Sequence, residues 1–202
     1  MGGTFYGVVL NDRAECDALA PAFGEKPYSA PPLAPVVYIK PRSCVTTGGA
    51  PVPVPAGLDA VQASATVALL FGDRPGVPVA AALALDICEP HASYYRPAIR
   101  QRCRDGFLPL GAFTALDPAL EEAEIVTRVE GTVVHRWALT RLVRDPAALI
   151  ADLGAFMTLS DGDVLLVGLP GDPPLVRAGQ SIAVSMECLP PLATRFEREE
   201  AA

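Results

Sequence analysis

The chain has few residues able to do chemistry, and most of them fall in one stretch. Arg96, Arg100, Arg102 and Arg104 follow shortly after Asp86 and His91, and they form the one local basic cluster in a chain of formal net charge -7. Guanidinium forks match carboxylates. The cluster therefore reads either as a seat for a small carboxylated substrate or as arginines paired with Asp86, Glu89 and Asp105 or with a partner chain. Asp86 itself either caps a turn or pairs with an arginine. His91 could take part in proton transfer near neutral pH, although a solvated loop histidine is the plainer reading. His135, in a β-prone run beside Arg136 and Trp137, reads as structural. The cysteines (Cys16, Cys44, Cys88, Cys103, Cys188) are odd in number and never spaced C-x-x-C, which points to buried thiols rather than a zinc site or disulfide framework. Gly48-Gly49 lacks the Lys and Ser or Thr of a phosphate loop, and no G-x-S-x-G elbow occurs.

These residues must be positioned by a fold that the composition bounds. With 202 residues, 50% of them apolar and 19% charged, the chain can bury one large core, so a single domain over 1–202 is expected. The acidic balance argues against nucleic acid, which needs basic residues gathered on one face. The apolar runs at 36–40 and 65–71 fall far short of the roughly 20 residues of a membrane helix. The first ten residues lack the pattern of a secretory signal, so a cytoplasmic protein without membrane contact is expected.

The 21 prolines and 17 glycines cut the sequence into short segments, which suits strands and turns better than a helical bundle. Strands are expected at Thr4 to Leu10, Val36 to Lys40, Ala65 to Phe71, Val164 to Leu169 and Ser181 to Cys188, with a hairpin formed by Glu124 to Val129 and Thr132 to Trp137 about Glu130-Gly131. One helix is expected from Asp145 as N-cap and Pro146 as its first residue, with Leu149, Ile150, Leu153, Phe156 and Met157 on one face. The charged tail, about 195–202, is expected to fray.

The order of several short motifs resembles the fumarylacetoacetate hydrolase family. They are Tyr38-Ile39-Lys40-Pro41, Leu159-Ser160-Asp161-Gly162-Asp163, Gly168-Leu169-Pro170 and Arg177-Ala178-Gly179-Gln180. The segment from Tyr94 to Phe107, with Gly7 to Asn11 and Lys26 to Pro32, is similar to the isomerase/decarboxylase subgroup of bacterial 4-hydroxyphenylacetate (homoprotocatechuate) breakdown. The resemblance implies a mixed α/β, mainly β fold, a β-sandwich or roll with few helices. It further implies that this chain corresponds to the N-terminal half of an enzyme of two homologous domains.

What the resemblance implies for the site is a set of losses. Active members hold Mg²⁺ or Mn²⁺ with a Glu-x-Glu pair and a later Asp; here Gln62 and Ser64 stand at the glutamate positions and Asp86 at the third. No glutamate lies between Glu25 and Glu89, so the loss does not depend on alignment register. A His and Glu three apart in a loop after the first strand correspond to Glu15 and Ala18, and a lysine corresponds to Arg102. No cofactor is therefore expected in this chain, with Mg²⁺ or Mn²⁺ assigned to a metal-competent homologous partner; a homo-oligomer is the other assembly considered. Lys40, Arg96, Arg102 and Arg104 are the candidate substrate contacts, and Asp86, His91 and Arg102 the weak catalytic candidates. The alternatives are a non-catalytic carboxylate-binding or scaffolding protein of the same fold, and a metal-free enzyme built on Asp86, His91 and Arg102.

Overall fold

The computed structural model describes residues 2–47, 49–91 and 98–199. The strands are β1 (Phe5–Val9), β2 (Val36–Lys40), β3 (Val45–Thr46), β4 (Val52–Val54), β5 (Val61–Phe71), β6 (Pro78–Cys88), β7 (Leu108–Pro109), β8 (Thr114–Ala115), β9 (Glu124–Val129), β10 (Thr132–Ala138), β11 (Val164–Leu166), β12 (Leu175–Val176), β13 (Ser181–Met186) and β14 (Leu189–Arg198). The helices are α1 (Arg13–Phe23), α2 (Ile99–Arg102) and α3 (Pro146–Gly154), and a 3-10 turn at Leu139–Arg141 precedes α3. The mainly β expectation holds.

Two sheets face each other. The larger is ordered β2-β1-β11-β5-β6-β8, with β12 also paired to β5; the smaller is ordered β10-β9-β13-β14-β4. One core cluster joins the inner faces, with Val67, Leu83, Leu85 and Ile87 from the larger sheet meeting Ile125, Trp137, Val184 and Phe196 from the smaller. The opposite face of the larger sheet is also covered: Ala68, Ala82 and Ala84 pack with Phe5, Leu108 and Leu166. A strand buried on both faces reads as a continuous apolar run, which is how β5 is written from Val67 to Phe71. No described helix is long and apolar enough to cross a membrane.

Several expectations hold closely. The β9–β10 hairpin turns on Glu130 and Gly131, with φ of 49° and 79°. That is the left-handed pair its two-residue connection requires. The Asp145 carboxylate accepts the Ala148 amide at 2.7 Å and Pro146 begins α3, as the cap signal implies.

Four readings are corrected. Phe156 is 66% exposed, because α3 ends at Gly154 and the residues beyond leave the helical face; Leu149 and Leu153 carry the packing. The segment after β1 is the helix α1, not a loop, and its alanines favour that state. The strand β6 went unread, because Ala-rich Pro78–Cys88 carries no β-branched signature apart from Val79 and Ile87; it exists because β5 pairs with it along nearly its whole length. Asp86 thus lies in a strand and caps no turn. Lastly, residues 195–198 are not frayed: they end β14, which pairs in parallel with β4, and Phe196 is fully buried.

Candidate functional site

Antiparallel pairing sets the floor of the site. Ser64 lies opposite Asp86 and Gln62 opposite Cys88. Residues two apart on a strand share a face, so Gln62, Ser64 and Asp86 are presented to one side, as the resemblance implies. Gln62 and Ser64 line a cleft of about 410 Å³. Its walls are α1 (Glu15, Ala18), the loop Leu169 to Pro173, and Arg141, with His91 and Arg102 also lining it. The positions that matched the family's metal pair, dyad and lysine therefore converge on one cavity.

Asp86 is wholly buried and held from three sides. Arg102 Nη1 donates to its Oδ1 at 2.9 Å, and Lys40 Nζ lies 3.4 Å from the same oxygen. The Tyr38 hydroxyl donates to Oδ2. Burial, together with the Asp86 charge, pushes the Tyr38 phenol well above its ordinary range, so it stays protonated as a donor. The Arg102 guanidinium also lies 5.2 Å from the Tyr38 ring centroid, a cation–π contact. Gly7, opposite Tyr38 in the β1–β2 ladder, makes room for that ring: a Cβ there would collide with Tyr38 Cζ.

Lys40 is corrected as a substrate contact. It is 1% exposed, and its ammonium donates to the carbonyls of Ile87, Arg102 and Phe107 at 3.1, 2.9 and 2.7 Å. All three protons are used on backbone from separate segments, so the residue staples the structure behind Asp86. Arg104 also turns away from the cleft, bridging Glu89 at 3.2 Å and Glu199 at 2.7 Å. Arg100 is exposed on α2. Arg96 lies outside the described residues. Of the arginine cluster, Arg102 is thus the one placed on the cleft among the described residues.

All five cysteines are free. Burial pushes the Cys44 and Cys88 thiols up to about 11, which leaves them protonated and poor nucleophiles near neutrality.

A second polar cluster was not foreseen. Asp12, wholly buried, accepts Arg141 Nε at 3.0 Å and Nη2 at 2.6 Å, and accepts the Gly171 amide at 2.9 Å. Arg141 Nη2 and His135 Nε2 both reach Asp172 Oδ1, at 3.0 and 3.1 Å. This fastens the Gly171-Asp172 lip of the cleft to the start of α1 and to the hairpin. Partial burial alone would raise the Asp172 carboxyl, but the hydrogen bonds from His135 and Arg141 prevail and hold it below its usual value. Asp12 and Arg141 are 129 residues apart, and no local spacing announces such a pair.

A hard divalent cation needs several oxygen ligands, most of them anionic. The donor set here does not suit one. Asp86 has both oxygens engaged by Arg102, Lys40 and Tyr38, and Gln62 and Ser64 are neutral. Among the described residues no group of three or more His, Cys, Asp or Glu is placed to hold a metal.

Comparison with known proteins agrees with the fold. Residues 4–197 match the family model "Fumarylacetoacetate (FAA) hydrolase C-terminal". The chain is 39% identical over 201 residues to the 4-hydroxyphenylacetate degradation bifunctional isomerase/decarboxylase of Escherichia coli, covering 95% of this chain and 46% of that protein. It therefore spans about half the length of that curated relative. Among solved structures, 5-carboxymethyl-2-hydroxymuconate delta-isomerase from Mycobacterium smegmatis superposes with a TM-score of 0.82 at 23% identity, covering 98% of this chain and 80% of that one. Fumarylpyruvate hydrolase from Pseudomonas aeruginosa, in complex with Mn²⁺ and pyruvate, superposes with a TM-score of 0.78 at 18% identity, covering 97% and 90%.

Proposed function

The chain belongs to the fumarylacetoacetate hydrolase family, and from that premise we propose that it is one half of a cytoplasmic isomerase/decarboxylase acting on a tricarboxylic ring-cleavage product of 4-hydroxyphenylacetate catabolism. The observation that carries this reading is the 39% identity over 95% of the chain to about half of a bifunctional enzyme of that pathway.

In this reading the two halves differ in their work. Isomerisation or decarboxylation beside a ketone passes through an enolate, whose oxygen needs a positive charge nearby. A metal-competent homologous partner would supply that charge as Mg²⁺ or Mn²⁺. Among the described residues this chain's cleft has no matching ligand set, so its part is binding and assembly. Arg102, fixed by Asp86 and Tyr38, offers a guanidinium at the cleft floor for a substrate carboxylate.

The test is product formation by this chain, by a metal-competent homologous domain, and by their mixture. We expect negligible turnover from this chain alone and a stable, active complex on mixing. Robust turnover by this chain in EDTA, lost on Arg102→Ala, would instead identify a metal-free enzyme.

A further inference from the structure

The hairpin β9–β10 carries polar atoms into the space between the sheets that the chain itself does not match. Among the described residues three buried side-chain atoms take no hydrogen-bond partner: Thr46 Oγ1, Thr127 Oγ1 and Trp137 Nε1. The last two fall together. Thr127 lies opposite His135 in the β9–β10 ladder, and Trp137 opposite Ile125. Opposed residues share a face, as do residues two apart on a strand, so Thr127, His135 and Trp137 all stand on the inner face of the hairpin. Burial agrees: Thr127 and Trp137 are 0% and 1% exposed and the His135 side chain 9%, whereas the intervening Arg136 is exposed. Opposed Cβ atoms are about 5 Å apart and diagonal ones about 7 Å, spacings that one water molecule can span.

Donor and acceptor type decide what can satisfy these atoms. The indole N–H only donates, while a hydroxyl can accept. His135 Nε2 faces the Asp172 carboxylate at 3.1 Å, and an ionised carboxylate only accepts, so Nε2 carries the ring proton. In the neutral ring Nδ1 is then an acceptor, and the bond to Asp172 leaves it unengaged. One donor and two acceptors match water, which accepts one proton and donates two. A cation would meet the indole proton, and an apolar molecule would satisfy none of the three. Buried waters typically make about three hydrogen bonds, to groups that the protein leaves unmatched.

We infer that the hairpin holds a structural water on its buried face, accepting from Trp137 Nε1 and donating to Thr127 Oγ1 and His135 Nδ1, and that this water fixes the imidazole gripping the lip of the cleft. Thr127 is thereby a positioning residue. It touches neither the cleft nor a substrate; it acts through the water on His135, and through His135 on Asp172 beside Gly171.

The experiment compares the unaltered protein with Thr127→Val and Thr127→Ser. Valine keeps the shape and loses the hydroxyl, whereas serine keeps the hydroxyl. The sign of the stability change is informative. A buried hydroxyl with no partner is better replaced by a methyl group, so without the water Thr127→Val should raise the melting temperature or leave it unchanged. With the water, valine removes one of its acceptors, and the melting temperature should fall by about 2–4 °C. NMR supplies the second readout, because Trp137 is the sole tryptophan and gives a single indole N–H signal. That signal should show a cross-peak to a long-lived water in the unaltered protein and in Thr127→Ser, and should lose it in Thr127→Val. A melting temperature that does not fall in Thr127→Val, an indole proton with no such water in the unaltered protein, a cross-peak that survives the valine change, or one lost equally in Thr127→Ser overturns the inference.

Discussion

At the scale of single residues, Asp86 organises the site. Removing one member of a buried ion pair strands the others, which costs about 3–5 kcal/mol. Asp86→Ala leaves Arg102 without the carboxylate that Nη1 donates to and Lys40 without its neighbouring charge. We expect it to lower unfolding free energy by that order, measured by urea denaturation, whereas exposed Arg100→Ala should change little. The sequence showed part of this arrangement. An arginine partner for Asp86 was one of two readings, and it is the one found. The error at Lys40 has a physical cause: the carbonyls that consume its protons come from Ile87, Arg102 and Phe107, which only tertiary folding brings together. Asp172 supplies a pH test. Its folded carboxyl titrates below its ordinary value of 3.8, so its contribution is complete above that value and fades as pH falls through the lowered one. With the side chain 62% exposed the effect is modest. Asp172→Asn should make stability between pH 5 and pH 3 fall slightly less steeply than in the unaltered protein, and a steeper fall would count against the assignment.

At the scale of elements, what was legible is what local rules specify. The α3 cap, the left-handed hairpin turn and the β-branched runs of β1 and β2 each carry their own signal. Among the elements that went unread, α1 and β6 are alanine-rich, and alanine is a strand here only because β5 lies beside it, whereas β14 is disguised by Pro190, Pro191 and its charged end. Two substitutions separate these cases. Asp145→Ala removes the acceptor for the Ala148 amide and should cost about 1 kcal/mol, seen as a melting temperature lower by a few degrees. In β6, Ala82→Leu should be worse, by about 1–3 kcal/mol of overpacking, because that position is fully buried against the second core cluster.

At the scale of the molecule, the chain matches about half the length of a bifunctional relative and folds as two facing sheets with a cleft whose described residues do not suit a metal. A ligand that binds only the folded state raises its melting temperature. Millimolar MgCl₂ should therefore leave that temperature where EDTA leaves it, and micromolar affinity for Mn²⁺ by calorimetry would contradict the fit described here. The lip of the cleft carries a further consequence. Its Gly171 amide is held by a buried carboxylate, Asp12, that is itself fastened to Arg141, and through Asp172 the same lip meets His135 on the hairpin. One backbone proton thus reports on contacts from three distant parts of the chain. Its exchange with deuterated solvent should be slow while the latch is shut, and should quicken in Arg141→Gln with the central strands still protected, so that this proton times how often the cavity opens.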